Sequence, residues 1–200
     1  MKPDPVGLSP ALTALATGTE EEREAAASCL IQEGKIAGDL VAPALTELLQ
    51  SGDTDARWWA ARALAEVPGP AATQALIAAL ADPNEDVRVC AALALGERRE
   101  WSAVDSLLRA LRRAKGYEAR HVGDALCKIG EPAVPGLIAA LEEPVPTVRV
   151  ESARALVRIE SQKAIPALYK ALDDPEPAVE HYAWEALQRM GVGVMVLFRP

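Results

Sequence analysis

Residues 82–111, DPNEDVRVCAALALGERREWSAVDSLLRAL, contain one full period of a repeat. The stretch opens on Asp82-Pro83-Asn84, a turn signal. An apolar run at helical spacing follows and holds the pair Ala94-Leu95. A second run places Leu107 and Leu111 four residues apart, on one helical face. Working outward, the Ala-Leu pair recurs at Ala63-Leu64, Ala125-Leu126, Ala155-Leu156 and Ala186-Leu187, so its spacings are 31, 31, 30 and 31. A second ladder, Leu45, Leu76, Leu107, Leu137 and Leu168, shows the same spacings, and each member is followed four residues later by Leu49, Leu80, Leu111, Leu141 or Leu172. Two ladders that share one irregularity define a tandem repeat, and this decides the fold.

Each period predicts two helices. The first carries the leucines at i and i+4 and often has proline in its opening turn (Pro10, Pro43, Pro135, Pro166), where a missing N–H costs little. The second is read from the Ala-Leu pair, which serves as its anchor. The residues eight before and three after the anchor leucine are mainly apolar (Val87, Val148, Val179; Val67, Ile129, Ile159, Met190) and complete a buried stripe. The first unit fits more loosely, with Leu12 and Leu30 in the anchor places and an exit through Gly34 and Gly38. The expectation is one all-α domain over 1–200, a right-handed α-solenoid of about six helical hairpins. Its repeats fall near 8–41, 42–72, 73–103, 104–133, 134–164 and 165–191, and residues 192–200 form an apolar tail.

Composition agrees. The chain has 200 residues, of which 39 are alanine and 24 leucine, against 4% aromatic. Alanine favours helices and is depleted from strands, which excludes a β-sandwich or barrel. The net charge of −8 sets the protein against phosphate backbones, so nucleic acid is not an expected partner. Cys29, Cys90 and Cys127 form no CxxC, are odd in number and read as reduced thiols, which suits a cytoplasmic location. The opening MKPDPVGLSP does not read as a signal peptide, and no unbroken apolar run, Val194–Phe198 included, is long enough to span a bilayer.

The stretch 82–111 and its neighbours resemble the HEAT-like repeats of the phycobilisome-lyase (E-Z type) family, well over about 40–191 and loosely over 8–40. The resemblance implies an α-solenoid whose second helices line the concave face. It also implies that an arginine seven before the anchor (Arg57, Arg88, Arg149) pairs with an acid in a neighbouring inter-helix turn, such as Asp55, Asp82 or Asp86. These arginines read as fastenings.

Equivalent positions stack in a repeat array, so ranks of residues matter more than local motifs. Five before the anchor stand Trp59, Cys90, His121, Glu151 and Tyr182; six before stand Trp58, Val89, Arg120, Val150 and His181. Arg62, Asp124, Arg154 and Glu185 stand two before. Tryptophan, tyrosine and arginine anchor protein interfaces, so Trp58, Trp59, Arg62, Arg120, Arg154, His181 and Tyr182 are the candidate partner contacts. Of the adjacent pair Trp58 and Trp59, one is expected to pack inward and the other to be exposed. The Cys90–His121–Glu151 line could suggest a nucleophile, but helices 8–10 Å apart hold these groups too far apart, and a helix interior offers no oxyanion hole. Deoxyhypusine hydroxylase, similar in fold, takes His-Glu dipeptides as iron ligands; here Val122 follows His121 and Tyr182 follows His181, so no metal site is expected.

Residues 98–128 carry eight basic against four acidic side chains, a local excess that reads chiefly as solvated surface, with a dock for an acidic partner as the alternative. The apolar segment 192–200 reads as a cap on the last helices, with a homodimer contact as the alternative. Trp184, where most repeats have Ala or Gly, marks that end as special. The functional reading is a non-enzymatic scaffold for a protein partner, with no cofactor. The alternatives are a phycobilin lyase-like bilin-binding protein or chromophore chaperone, and a homo-oligomeric building block.

Overall fold

The computed structural model describes residues 8–50 and 53–192. They form eleven α-helices, and no strand occurs among them. The chain divides into two compact units, Met1–Ala103 and Val104–Pro200, at a boundary between expected repeats. In the first unit the helices are α1 (Leu8–Thr17), α2 (Glu20–Leu49), α3 (Thr54–Leu64), α4 (Pro70–Ala79) and α5 (Glu85–Glu97). In the second they are α6 (Val104–Leu111), α7 (Gly116–Ile129), α8 (Val134–Ala140), α9 (Pro146–Ile159), α10 (Ile165–Ala171) and α11 (Pro177–Arg189).

The register of the ladders is that of the core. Leu64, Leu95, Leu126, Leu156 and Leu187 are each 0% exposed, as are Leu45, Leu76, Leu107, Leu137 and Leu168. A fully buried leucine contributes about 1.5–3 kcal/mol, so each of these ten positions is a substantial part of the apolar stabilisation. The alanines before the anchors are buried with them, where second helices come close and extra bulk would force the helices apart.

Helix ends follow local chemistry. Thr19 and Glu22 form a reciprocal capping box at the start of α2. Asp53 and Asn84 cap α3 and α5 through their side-chain oxygens. Single 3₁₀ turns at Trp101–Ala103, Glu131–Ala133 and Gln162–Ala164 lead into α6, α8 and α10. Four second helices, α5, α7, α9 and α11, are followed by a residue with positive φ: Arg99 (50°), Gly130 (81°), Glu160 (56°) and Gly191 (72°), again at spacings of 31, 30 and 31.

The first repeat differs from expectation. Its exit through Gly34 and Gly38 is helical, and α2 is two helices joined at a kink on Ala37 (φ −132°, ψ 50°). The glycines instead permit a close approach: a Cβ on Gly34 would lie 2.5 Å from Val67 Cγ2, and one on Gly38 would lie 3.2 Å from the Pro68 carbonyl. Helical geometry resumes directly after the kink, so Pro43 lies inside α2 rather than in an opening turn.

Consecutive hairpins are fastened by arginine clamps. Arg57 Nε and Nη2 donate to the two Asp82 carboxylate oxygens at 2.7 and 3.1 Å, and Arg149 holds Asp174 likewise at 2.7 and 3.0 Å. Each joins a second helix to the turn 25 residues on. Arg149 Nη1 also donates to the Glu143 and Pro144 carbonyls of its own turn, and Arg88 makes the same pair of contacts to Asp82 and Pro83. Arg23, in the corresponding place of the first repeat, binds Asp53 at 3.1 Å. Of the acids named from sequence, Asp82 does this work; Asp55 and Asp86 instead stand in the first turns of α3 and α5.

Candidate functional site

In the first unit, α3 places Asp55, Trp58, Trp59 and Arg62 at i, i+3, i+4 and i+7, hence on one face. Arg23 orients this face against the α1–α2 turn. Its guanidinium binds Asp53, the residue that caps α3, and also donates to the Gly18 and Ala16 carbonyls. The Arg23 hydrogen bond holds the Asp53 carboxyl below its ordinary range, against the opposing effect of desolvation. Between the two elements lies an open groove of about 570 Å³. Gly18, Glu20, Arg23 and Glu24 line it from the α1–α2 turn and the start of α2, and the four α3 residues line it from α3.

Neither tryptophan is fully turned inward or outward, contrary to the sequence expectation. Both are half-buried, and they meet edge to face with ring centroids 5.0 Å apart at 90°. Arg62 is exposed, with its guanidinium carbon 5.9 Å from the Trp58 ring centroid, within cation–π range. The expected residues Trp58, Trp59 and Arg62 thus share one site. The acidic side, Glu20 and Glu24, escaped the sequence reading because it belongs to the loosely matching first repeat.

In the second unit, Arg120 is exposed and His121 half-buried on α7, and His181 is exposed and Tyr182 half-buried on α11. Tyr117 and His121 meet edge to face at 4.3 Å, and His181 and Tyr182 at 5.5 Å. Arg154 departs from its expected role as a surface contact. It is 7% exposed and binds Glu151 at 2.6 Å and Asp124 at 2.8 Å, with a further bond to the Arg120 carbonyl. Burial works against its charge, but the two carboxylates outweigh this and hold its pKa above the usual arginine value. Arg154 therefore ties α9 to α7. Gly123 makes room for this: a Cβ there would lie 2.9 Å from Glu151 Oε2 and 3.2 Å from Arg154 Nη2.

Burial pushes the Cys90 thiol up to about 11, with Arg62 acting weakly in the other direction, so it is protonated at neutral pH. Glu151 is held by Arg154. Among the described residues no group of three or more His, Cys, Asp and Glu side chains is placed to hold a metal ion, and no helix is long and apolar enough to cross a membrane. The basic excess around residues 98–128 is partly internal. Arg98 gathers the carbonyls at the exit of α3, including those of Val67 and Gly69, and Arg112 pairs with Glu143 at 2.8 Å.

Stacked helical hairpins, clamped turn to turn and presenting aromatic and charged side chains from their second helices, define a helical-repeat protein. The sequence matches the HEAT repeats family over residues 41–127 and 134–193, and the chain belongs to that family. No curated protein sequence matches it. Among solved structures it is similar to an archaeal HEAT-like repeats protein from Thermococcus onnurineus (TM-score 0.63, 13% identity, covering 98% of this chain and 85% of that one). It is also similar to the complex of CpcE and CpcF of phycocyanin lyase from Nostoc sp. (TM-score 0.55, 24% identity, 96% and 79%). A third is a designed armadillo repeat protein in complex with the peptide (KR)4 (TM-score 0.52, 18% identity, 92% and 99%). At these identities the likeness is one of fold. The expected apolar tail, with its alternative roles as cap and as homodimer contact over 192–200, lies outside the described residues from 193 onward.

Proposed function

We propose that this chain is a non-enzymatic, cytoplasmic interaction scaffold that binds a protein partner through the groove lined by Trp58, Trp59 and Arg62. Arg120, His181 and Tyr182 offer further contacts in the second unit, and Arg154 positions the surface that carries Arg120. The observation that carries the reading is the groove: two half-buried indoles and an exposed arginine on one helix face, opposite a second element. Partly buried Trp and Arg are the residue types that concentrate binding energy at interfaces. Proteins of similar fold do take partners, as CpcE does with CpcF and the designed armadillo protein does with its peptide. The acidic net charge supports a protein partner over nucleic acid.

Site-specific photo-crosslinking in the source cytosol tests this. A photoreactive residue at position 59 or 120 is expected to capture a discrete partner, while one at exposed Tyr169 on α10 does not. Equal capture at all three positions, or none at 59 and 120, refutes the reading.

A further inference from the structure

We propose, on the reading that the Trp58–Trp59 groove is a binding site, that its occupant is a basic peptide segment whose lysine or arginine side chains enter between the indoles and the facing carboxylates. Glu20, Glu24 and Asp55 line the groove, all three are exposed, and none has an ion-pair partner among the described residues. Glu20 and Glu24 lie one turn apart at the start of α2, so both carboxylates stand on the same side. Of the two lining cations, Arg23 is already neutralised by Asp53. Arg62 alone stands against three carboxylates, and the groove is a net anionic site.

The aromatic wall suits the same occupant. Trp58 already accepts a guanidinium at cation–π distance from Arg62, so the ring is placed to hold such a group. An acidic segment, or the phosphates of a nucleic acid, would face three unneutralised carboxylates.

The charge of Arg62 makes the test sharp, because it repels a basic occupant and would attract an acidic one. Fluorescence anisotropy on the full chain would compare a labelled peptide of alternating lysine, arginine and glycine with its aspartate–glutamate–glycine counterpart. The basic peptide is expected to bind and to weaken as salt rises. Glu20→Gln, Glu24→Gln and Asp55→Asn should each weaken it about two- to five-fold, the range for exposed ion pairs. Trp59→Ala should weaken it about three- to thirty-fold, whereas Trp59→Phe keeps a ring face and most of the affinity. Arg62→Gln should tighten it. Preference for the acidic peptide, or weaker basic-peptide binding in Arg62→Gln, overturns the basic occupant and leaves the groove as a partner site. Failure of both peptides also overturns this proposal, and crosslinking at position 59 then judges the broader reading separately.

Discussion

Replacing Asp174 with asparagine tests whether the clamps hold the repeats together. In the native protein both Asp174 oxygens are used: Oδ2 takes Arg149 Nε at 2.7 Å, while Oδ1 takes Nη2 at 3.0 Å and the Glu176 backbone N–H at 2.8 Å. Asparagine preserves one oxygen for the start of α11 but turns the other position into an amide that meets Arg149 donor to donor. The side chains are only 11% and 9% exposed. Exposed pairs contribute about 0.2–1 kcal/mol, and breaking a fully buried pair costs about 3–5 kcal/mol. At a tenth exposed, the expected loss is about 2–3 kcal/mol, or about 4–12 °C in melting temperature for a chain of this size. Burial raises the Asp174 pKa, but Arg149 and the Glu176 backbone N–H together outweigh it, and the carboxyl sits below its ordinary value of 3.8. A carboxylate depressed in the folded state stabilises above its unfolded pKa and loses that contribution as pH falls through the folded one. The gap between wild type and Asp174→Asn should therefore be full near neutral pH and close below about pH 3.8. Circular dichroism melts across pH check this, with amide exchange localising the loss to α9–α11. A variant melting within about 1 °C of wild type at neutral pH, or a gap unchanged in acid, refutes the reasoning.

Three further outcomes are expected. Gly123→Ala should destabilise by about 1–3 kcal/mol in urea unfolding although alanine favours helices, because its Cβ crowds the Glu151–Arg154 pair; a neutral or stabilising result counts against that packing. Glu160→Gly should stabilise by about 0.5–1 kcal/mol, since glycine relieves a positive φ of 56° and only an exposed 3.5 Å contact to Arg189 is lost; a lower urea midpoint would contradict this. In thiol-labelling kinetics at neutral pH, exposed Cys29 should react well ahead of Cys90, whose thiolate is suppressed by burial; comparable rates would mean that the region around Cys90 opens readily.

The two leucine ladders determined the helical repeat and its register by themselves, because a stacked array must bury the same helix face at each period. Arginines seven before the anchor were legible as fastenings for the same reason. Their partners were only partly legible: Asp82 was among the acids named, but Asp174 and Asp53 were not, because the partners lie 25 to 30 residues downstream and several acids in each turn compete for the role. Arg154 shows the limit most clearly. Its place in the two-before row resembles that of Arg62, but Arg62 is exposed over Trp58, whereas Arg154 is buried between Asp124 and Glu151 over a glycine. Which of two equivalent arginines offers its charge depends on the acids that neighbouring helices bring to it. The groove is tertiary in the same sense. Trp58, Trp59 and Arg62 could be picked out as one helix face, but Glu20, Glu24 and the buried Arg23 meet them only because α2 packs across the start of α3. Periodicity sets where each helix turns its apolar side; only packing decides which polar groups remain unpaired and able to bind another molecule.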